Sequence, residues 1–135
     1  MKRSQTYYNN RRRIRELRYD KIKFRPSVSD IEEWFIILNQ QIFDDKLKIF
    51  TEIHIGKPKQ VYALFYYWPS KNDSEKENRL HITQVFTSKR FFVEILGHEM
   101  IHLFQYQYNE PIGHGASFKV WYDNFNLKGL NLVAG

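Results

Sequence analysis

The chain has 135 residues, 42% of them hydrophobic, which suits one domain with a single hydrophobic core. It contains no cysteine, which excludes disulfides, thiolate catalysis and cysteine-based zinc sites, so a metal site would have to use His, Asp or Glu. Its net charge is +6, and it shows neither an apolar run of about 18 residues nor a secretory signal, so we expect a cytoplasmic protein without a membrane partner.

The positive charge is concentrated at the N-terminus. Residues 1–25 hold ten Lys or Arg against Glu16 and Asp20, a net charge of +8, so the other 110 residues total −2. We interpret residues 1–25 as a basic arm and residues 26–135 as the folded domain. The arm could neutralise the phosphates of DNA or another polyanion, or it could be a solvated tail. The candidate nucleic-acid-binding residues are Arg11, Arg12, Arg13, Arg15 and Arg18.

A first helix is predicted after Pro26. Ser29 and Glu32 have the spacing of a capping box, which marks a helix start. Apolar residues then recur at helical spacing, which predicts a helix with one buried face as far as about Asp44. The residues of this face are Ile31, Trp34, Phe35, Leu38 and Ile42.

Three strands are predicted next, over residues 48–55, 61–68 and 79–86, because these segments are rich in β-branched and aromatic residues or alternate in polarity. Together they predict a small sheet. His54 and His81 lie in two of the strands, and we interpret them as ordinary, partly buried side chains.

Two helices complete the chain. Ser88 can cap a helix that continues to about Gln107, and Phe118, Trp121 and Phe125 mark a shorter one. The predicted order is therefore α-β-β-β-α-α, an α+β fold.

The longer helix carries the pattern His98-Glu99-Met100-Ile101-His102, the H-E-x-x-H signature of zinc hydrolases. Residues four apart lie on one face of a helix, so both imidazoles can reach one Zn²⁺ ion. The apolar character of this helix indicates burial, and buried polar side chains need partners. Glu99 is predicted to act as general base on zinc-bound water.

A third protein ligand is required, and His114 is the best candidate. The metzincin pattern would place Gly and His where this chain has Gln105 and Tyr108. Downstream of the motif, the acidic residues are Glu110, beside a proline, and Asp123, in the last helix. The segment between the motif and His114 is long enough to turn back toward the metal.

His98-Glu99-Met100-Ile101-His102, followed by His114-Gly115-Ala116-Ser117-Phe118, resembles the signature of the SprT-like proteins, which include the Spartan proteases. The segment 38–43 resembles the first helix of that family, so the likeness spans about residues 30–126. It implies a minimal zincin fold, three histidine ligands, and an enzyme that degrades proteins bound or crosslinked to DNA. Zincins also bind an extended peptide along the edge strand before the active-site helix, a place that residues 79–86 occupy here.

Two departures from that family point to a compact version. The gap between His102 and His114 is shorter than in the cellular Spartan proteins, and the cysteine-rich ribbon of bacterial SprT is missing. The chain thus resembles the stand-alone versions of bacteriophages, for which we would expect the host cytoplasm. The alternative function is a zinc-stabilised structural or nucleic-acid-binding phage protein without proteolytic activity. Glu99 favours the enzyme, because a purely structural site needs no base.

Overall fold

The computed structural model describes residues 3–69 and 76–132, so the ends of the predicted arm and domain, residues 1–2 and 133–135, lie outside the described part. The described residues form an α+β fold. Its helices are α1 (Gln5–Arg15), α2 (Val28–Phe43), α3 (Lys89–Gln107) and α4 (Ala116–Leu127), and its strands are β1 (Glu52–Gly56), β2 (Ala63–Tyr67) and β3 (Asn78–Thr83). Among these helices, none combines the length and the apolar character needed to cross a membrane.

Helix α1 lies in the basic arm and adds one helix to the predicted order. It begins after Ser4, whose hydroxyl accepts a hydrogen bond from the backbone N–H of Tyr7 at 3.1 Å. Ile14 and, just after the helix, Leu17 are buried in the same core as the rest of the protein. The sequence pattern does not predict α1, because a helix with so few apolar residues has no recognisable apolar stripe.

Helix α2 begins two residues earlier than the predicted capping box implies. The N-cap is Ser27, whose hydroxyl accepts from the backbone N–H of Asp30 at 3.0 Å, while the Asp30 carboxylate accepts from the Ser27 N–H at 2.9 Å. The predicted pair, Ser29 and Glu32, therefore lies inside the helix. Both pairs have the same spacing, but starting at Ser27 adds a half-turn of helix before the first buried residue, Ile31.

The sheet has the strand order β1-β3-β2, in which β3 pairs with β1 in parallel and with β2 in antiparallel orientation. The prediction that residues 79–86 form the edge strand is therefore wrong. Both sides of β3 are already hydrogen bonded, so it cannot accept a substrate peptide. The error arises because β3 inserts between two strands that precede it in the chain, which local sequence patterns do not reveal.

Helix α3 is buried along most of its length and packs against both β2 and α4. Gly97 allows the close approach of α4: a Cβ atom at this position would lie 2.7 Å from a ring carbon of Phe125. Phe125 is itself fully buried. The residue directly before the H-E-x-x-H motif thus fixes the separation of the two helices that flank the candidate site.

Both ends of the described chain are attached to α3 at Glu94, which is 2% exposed. Its carboxylate accepts hydrogen bonds from the Tyr19 hydroxyl at 2.7 Å and from the backbone N–H of Asn131 at 2.8 Å. It also forms an ion pair with Arg90, one turn earlier on α3. One buried acid therefore fastens the segment after α1 and the segment after α4 to the central helix.

Candidate metal centre

His98 and His102 lie one turn apart on α3, and both side chains are largely buried. Their Nε2 atoms are 3.3 Å apart, and their ring centroids are 5.0 Å apart. Because of the i, i+4 spacing, the Nε2 atoms of both rings lie close enough together to contact one metal ion, as the sequence predicts.

The chain after α3 turns back and brings His114 to the same point. Helix α3 ends near Asn109, which adopts the left-handed conformation with φ 57°. The Nε2 atom of His114 lies 3.2 Å from Nε2 of His98. His114 is exposed, so the third side of the cluster faces solvent.

The three histidines fit a zinc ion. Their ligand nitrogens all lie within 4.8 Å of one another. A tetrahedral ion with nitrogen bonds of 2.0 to 2.1 Å would hold its ligand atoms about 3.3 to 3.4 Å apart, close to the two distances that His98 makes here. Three imidazoles also match the ligand preference of zinc and leave a fourth coordination position for water or substrate.

Glu99 follows the first of these histidines and is 7% exposed. None of the residues that the structure describes donates a hydrogen bond to its carboxylate or forms an ion pair with it. Burial raises the pKa of the Glu99 carboxyl from its ordinary value to about 7. A buried carboxylate with this pKa and without a structural partner can take up and release a proton near neutral pH.

Gln105, which is fully buried, connects His102 to the loop that carries His114. Its amide oxygen lies 2.9 Å from Nδ1 of His102 and accepts from the backbone N–H of Gly113 at 3.2 Å. Its amide nitrogen donates to the Gly113 carbonyl at 3.0 Å and to the Ser117 hydroxyl at 2.9 Å. In the sequence, Gln105 stands only where a metzincin would have glycine, so its contact with the His114 loop is not predicted. Its spacing of three residues from His102 is the one local signal of this role.

The contact with Gln105 also defines which nitrogen of His102 can bind a metal. If the amide oxygen accepts from Nδ1–H, the lone pair of His102 is on Nε2, the atom that faces the other two histidines. Burial lowers the pKa of His102, although the hydrogen bond with Gln105 opposes that change. The ring is thus held neutral, which is the form that binds metal.

Phe118, near the start of α4, packs against all three rings. Its ring centroid lies 4.9 Å from that of His98, 5.5 Å from that of His102 and 4.8 Å from that of His114. Phe118 is one of the three residues that mark the last predicted helix, and it is 2% exposed. Its position also restricts the rotation of the three imidazoles and shields one side of the cluster from water.

Three of the predicted nucleic-acid-binding arginines contact other groups of the protein. Arg13 forms an ion pair with Glu33, and its guanidinium lies 5.0 Å from the centroid of the Trp34 ring. Arg18 donates to backbone carbonyls at the end of α1. Arg12 donates to an asparagine side chain one turn earlier at 2.7 Å. Their donors are therefore partly engaged within the protein.

The other two predicted arginines, Arg11 and Arg15, lie one turn apart on α1 and line a cavity of about 270 Å³. Lys128, just after α4, lines the same cavity. Three cationic side chains from the two ends of the described chain thus surround one opening, a placement that sequence distance alone does not indicate.

Comparison with known proteins gives one family. The model of the SprT-like family matches residues 31–133, a segment that includes α2 except its first three residues, the sheet, α3 and α4. No curated protein and no solved structure matches the chain. The family match thus covers every element that carries the three histidines.

Proposed function

Because the chain belongs to the SprT-like family, we propose that it is a zinc-dependent endopeptidase in which His98, His102 and His114 hold the ion. The observation that carries this proposal is the convergence of three imidazoles, one of them adjacent in sequence to Glu99, a buried carboxylate without a hydrogen-bond or ion-pair partner among the described residues. A zinc site with a purely structural role would need the histidines but not a buried acid with a raised pKa.

Zn²⁺, when bound, would act as a Lewis acid that polarises a peptide carbonyl and lowers the pKa of water. The protein supplies the proton transfers. Glu99 would take a proton from the attacking water and return it to the leaving amine. Gln105 and Phe118 would keep the histidine rings in the orientation that the ion requires.

The free edge of β2 is the best place for an extended peptide substrate. In the described part of the chain, β2 has β3 as its only strand neighbour. The strand runs beside α3: the Tyr62 ring, just before β2, contacts Phe91 near the start of the helix, and Tyr67 contacts Tyr106 near its end. A peptide that pairs with this edge would extend along the helix that carries the H-E-x-x-H motif.

The basic opening formed by Arg11, Arg15 and Lys128 favours substrates that are associated with DNA. Cationic side chains that neutralise phosphates release counterions and so give affinity without sequence specificity. We therefore propose that the protein associates with DNA through this opening. The competing function is a zinc-stabilised, nucleic-acid-binding protein that cleaves nothing.

Comparison of the parent protein with Glu99→Gln separates the two functions. The substitution keeps the size of the side chain and removes its basicity, so we expect unchanged zinc content and a 10²- to 10⁴-fold lower rate of peptide hydrolysis, the usual contribution of general acid-base catalysis. Zinc content and melting temperature would be measured first. Cleavage of casein and of a DNA-bound protein would follow. A zinc-loaded parent that cleaves neither substrate, with DNA supplied, would support the non-catalytic alternative.

A further inference from the structure

The outer face of the sheet carries a pair of histidines that the candidate metal centre does not use. His54 on β1 lies directly opposite His81 on β3 in the parallel register, and their ring centroids are 4.7 Å apart. Leu80 and Ile82, the neighbours of His81, are fully buried in the core. Because side chains alternate along a strand, both histidines lie on the opposite face, away from α3.

Both rings point toward space that Gly56 leaves open. A Cβ atom added at Gly56 would lie 2.9 Å from Nε2 of His54 and 3.1 Å from Nε2 of His81. The two nitrogens therefore approach one point from two strands. Any larger residue at position 56 would occupy the volume between them.

The Nε2 atom of His81 is shielded from solvent and has no hydrogen-bond partner among the described residues. A buried polar atom without a partner is costly and calls for an explanation, such as an ion or a water at that position. Burial, with smaller contributions from His54 and Arg79, lowers the pKa of His81 and keeps the ring neutral. A neutral imidazole offers a lone pair to a metal ion.

We propose that His54 and His81 form a second metal site, in which the two Nε2 atoms bind one divalent transition ion of the zinc, nickel or copper type and water completes its coordination. Imidazole suits these ions, whereas calcium and magnesium prefer oxygen ligands. His54 is exposed, so its ring can turn to bring the two nitrogens to the separation of about 3.3 Å that a tetrahedral ion needs.

Solvent reaches the pair from the side of His54, which is exposed. A cavity of about 500 Å³, lined in part by Glu52, His54 and Arg79, opens beside His54. Glu52 and Arg79 form an ion pair across it at 2.7 Å, so their charges offset each other near the site. This site uses none of the residues of the His98, His102 and His114 cluster, and it stands whether or not the protein is a protease.

Zinc binding by the full chain tests the proposal. Metal-free protein would be dialysed against Zn²⁺, and bound zinc would be counted by elemental analysis. We expect about two ions per chain in the parent and about one in Gly56→Ala, because the added methyl fills the space between the nitrogens and removes no ligand. His54→Gln and His81→Gln should also bind about one ion.

Imidazole signals in NMR spectra locate the ions. In the parent, the signals of His54 and His81 should move with the second equivalent of zinc, while those of the other three histidines should move with the first. Retention of two ions by all three variants would overturn the proposal. So would His54 and His81 signals that do not respond to zinc, which would assign the space beside His81 to water.

Discussion

The amide oxygen of Gln105 lies 2.9 Å from Nδ1 of His102, within the same buried turn of α3. The other contacts of that amide all reach the segment around His114. Gln105 therefore links the helix that supplies two of the histidines to the loop that supplies the third. We infer that it is a positioning residue for the metal centre.

Replacing Gln105 by Leu should weaken zinc binding by about 10- to 100-fold, the usual effect of losing an outer-shell partner of a metal-binding histidine. The Leu side chain keeps most of the volume but cannot accept from Nδ1–H or bond to the His114 loop. Zinc affinity would be measured by competition with a chelator. Ser117→Ala, which removes one contact of the amide and leaves the one to His102, is the matched control and should change affinity less.

The pKa of Glu99 predicts a pH dependence of stability in the metal-free protein. Because burial raises this pKa to about 7 from its ordinary value, the folded protein holds a proton that the unfolded chain releases at lower pH. The free energy of unfolding should therefore fall as pH rises from about 4.5 to about 7, by up to about 3 kcal/mol for this group. Glu99→Gln should remove that fall.

Urea denaturation of metal-free parent and Glu99→Gln at several pH values checks the prediction. The variant should be the more stable of the two at pH 8 and similar to the parent near pH 4.5. Equal stability at pH 8 would mean that the carboxylate of Glu99 is better solvated than its burial indicates. A chelator must be present, because a bound cation would favour the ionised carboxylate.

Glu94→Ala should destabilise the protein strongly, by about 3 to 5 kcal/mol, because it leaves Arg90 and other donors without their buried acceptor. Loss of this acid also removes the hydrogen bonds by which Tyr19 and Asn131 are held to α3. Denaturant unfolding would measure the change. Glu33→Ala, which breaks the exposed ion pair with Arg13, is the control and should cost no more than about 1 kcal/mol.

The motif carries most of what the sequence predicts about the candidate site. In H-E-x-x-H, the periodicity of one helix is enough to place His98 beside His102. His114 is predicted as the third ligand because few other residues downstream could bind a metal. Gln105 could not be predicted in the same way, because its role depends on the path of a loop. Local periodicity also predicts α2 and α3 close to their observed bounds, and the three residues that mark the last predicted helix lie within α4.

The strand order limits what the sequence predicts about the sheet. His54 and His81 are 27 positions apart, and they meet because β3 inserts between β1 and β2. No local pattern encodes that insertion, so neither the histidine pair nor the two edge strands, β1 and β2, could be predicted. Similarly, α1 depends on tertiary contacts of a few apolar residues, such as Ile14. These residues lie in a segment of mostly charged and polar residues, so no apolar stripe marks the helix.

Substitution of Arg11 and Arg15 by Ala should weaken DNA binding and reduce its dependence on salt. If each arginine contacts one phosphate, the slope of log affinity against log salt should fall in magnitude by about two. Arg13→Ala is the control, because Arg13 is already paired with Glu33, and its slope should stay close to that of the parent. Identical slopes for parent and double variant would remove these two arginines from any DNA-binding surface.

Alternate backbone N–H groups of β2 point to the free edge of the strand, away from β3. In an antiparallel pair, residues alternate between those that hydrogen bond to the partner strand and those whose backbone groups point away from it. The residues just outside the two ends of β2 both bond toward β3: the Tyr62 carbonyl accepts from Thr83, and the Trp68 N–H donates to Glu77. By alternation, the backbone N–H groups of the odd-numbered residues, including Tyr67, point to the free edge.

Tyr67→Pro should therefore impair peptide cleavage without unfolding the sheet, because proline removes an N–H that points away from β3. Tyr67→Ala loses the same ring contact with Tyr106 but keeps the N–H. Comparison of the two variants therefore measures the effect of the backbone N–H alone. We expect KM for an extended peptide to rise more in Tyr67→Pro than in Tyr67→Ala, with zinc content unchanged in both. Main-chain pairing also implies weak side-chain selectivity at the cleavage site. Equal KM values for the two variants would place the substrate elsewhere than on β2.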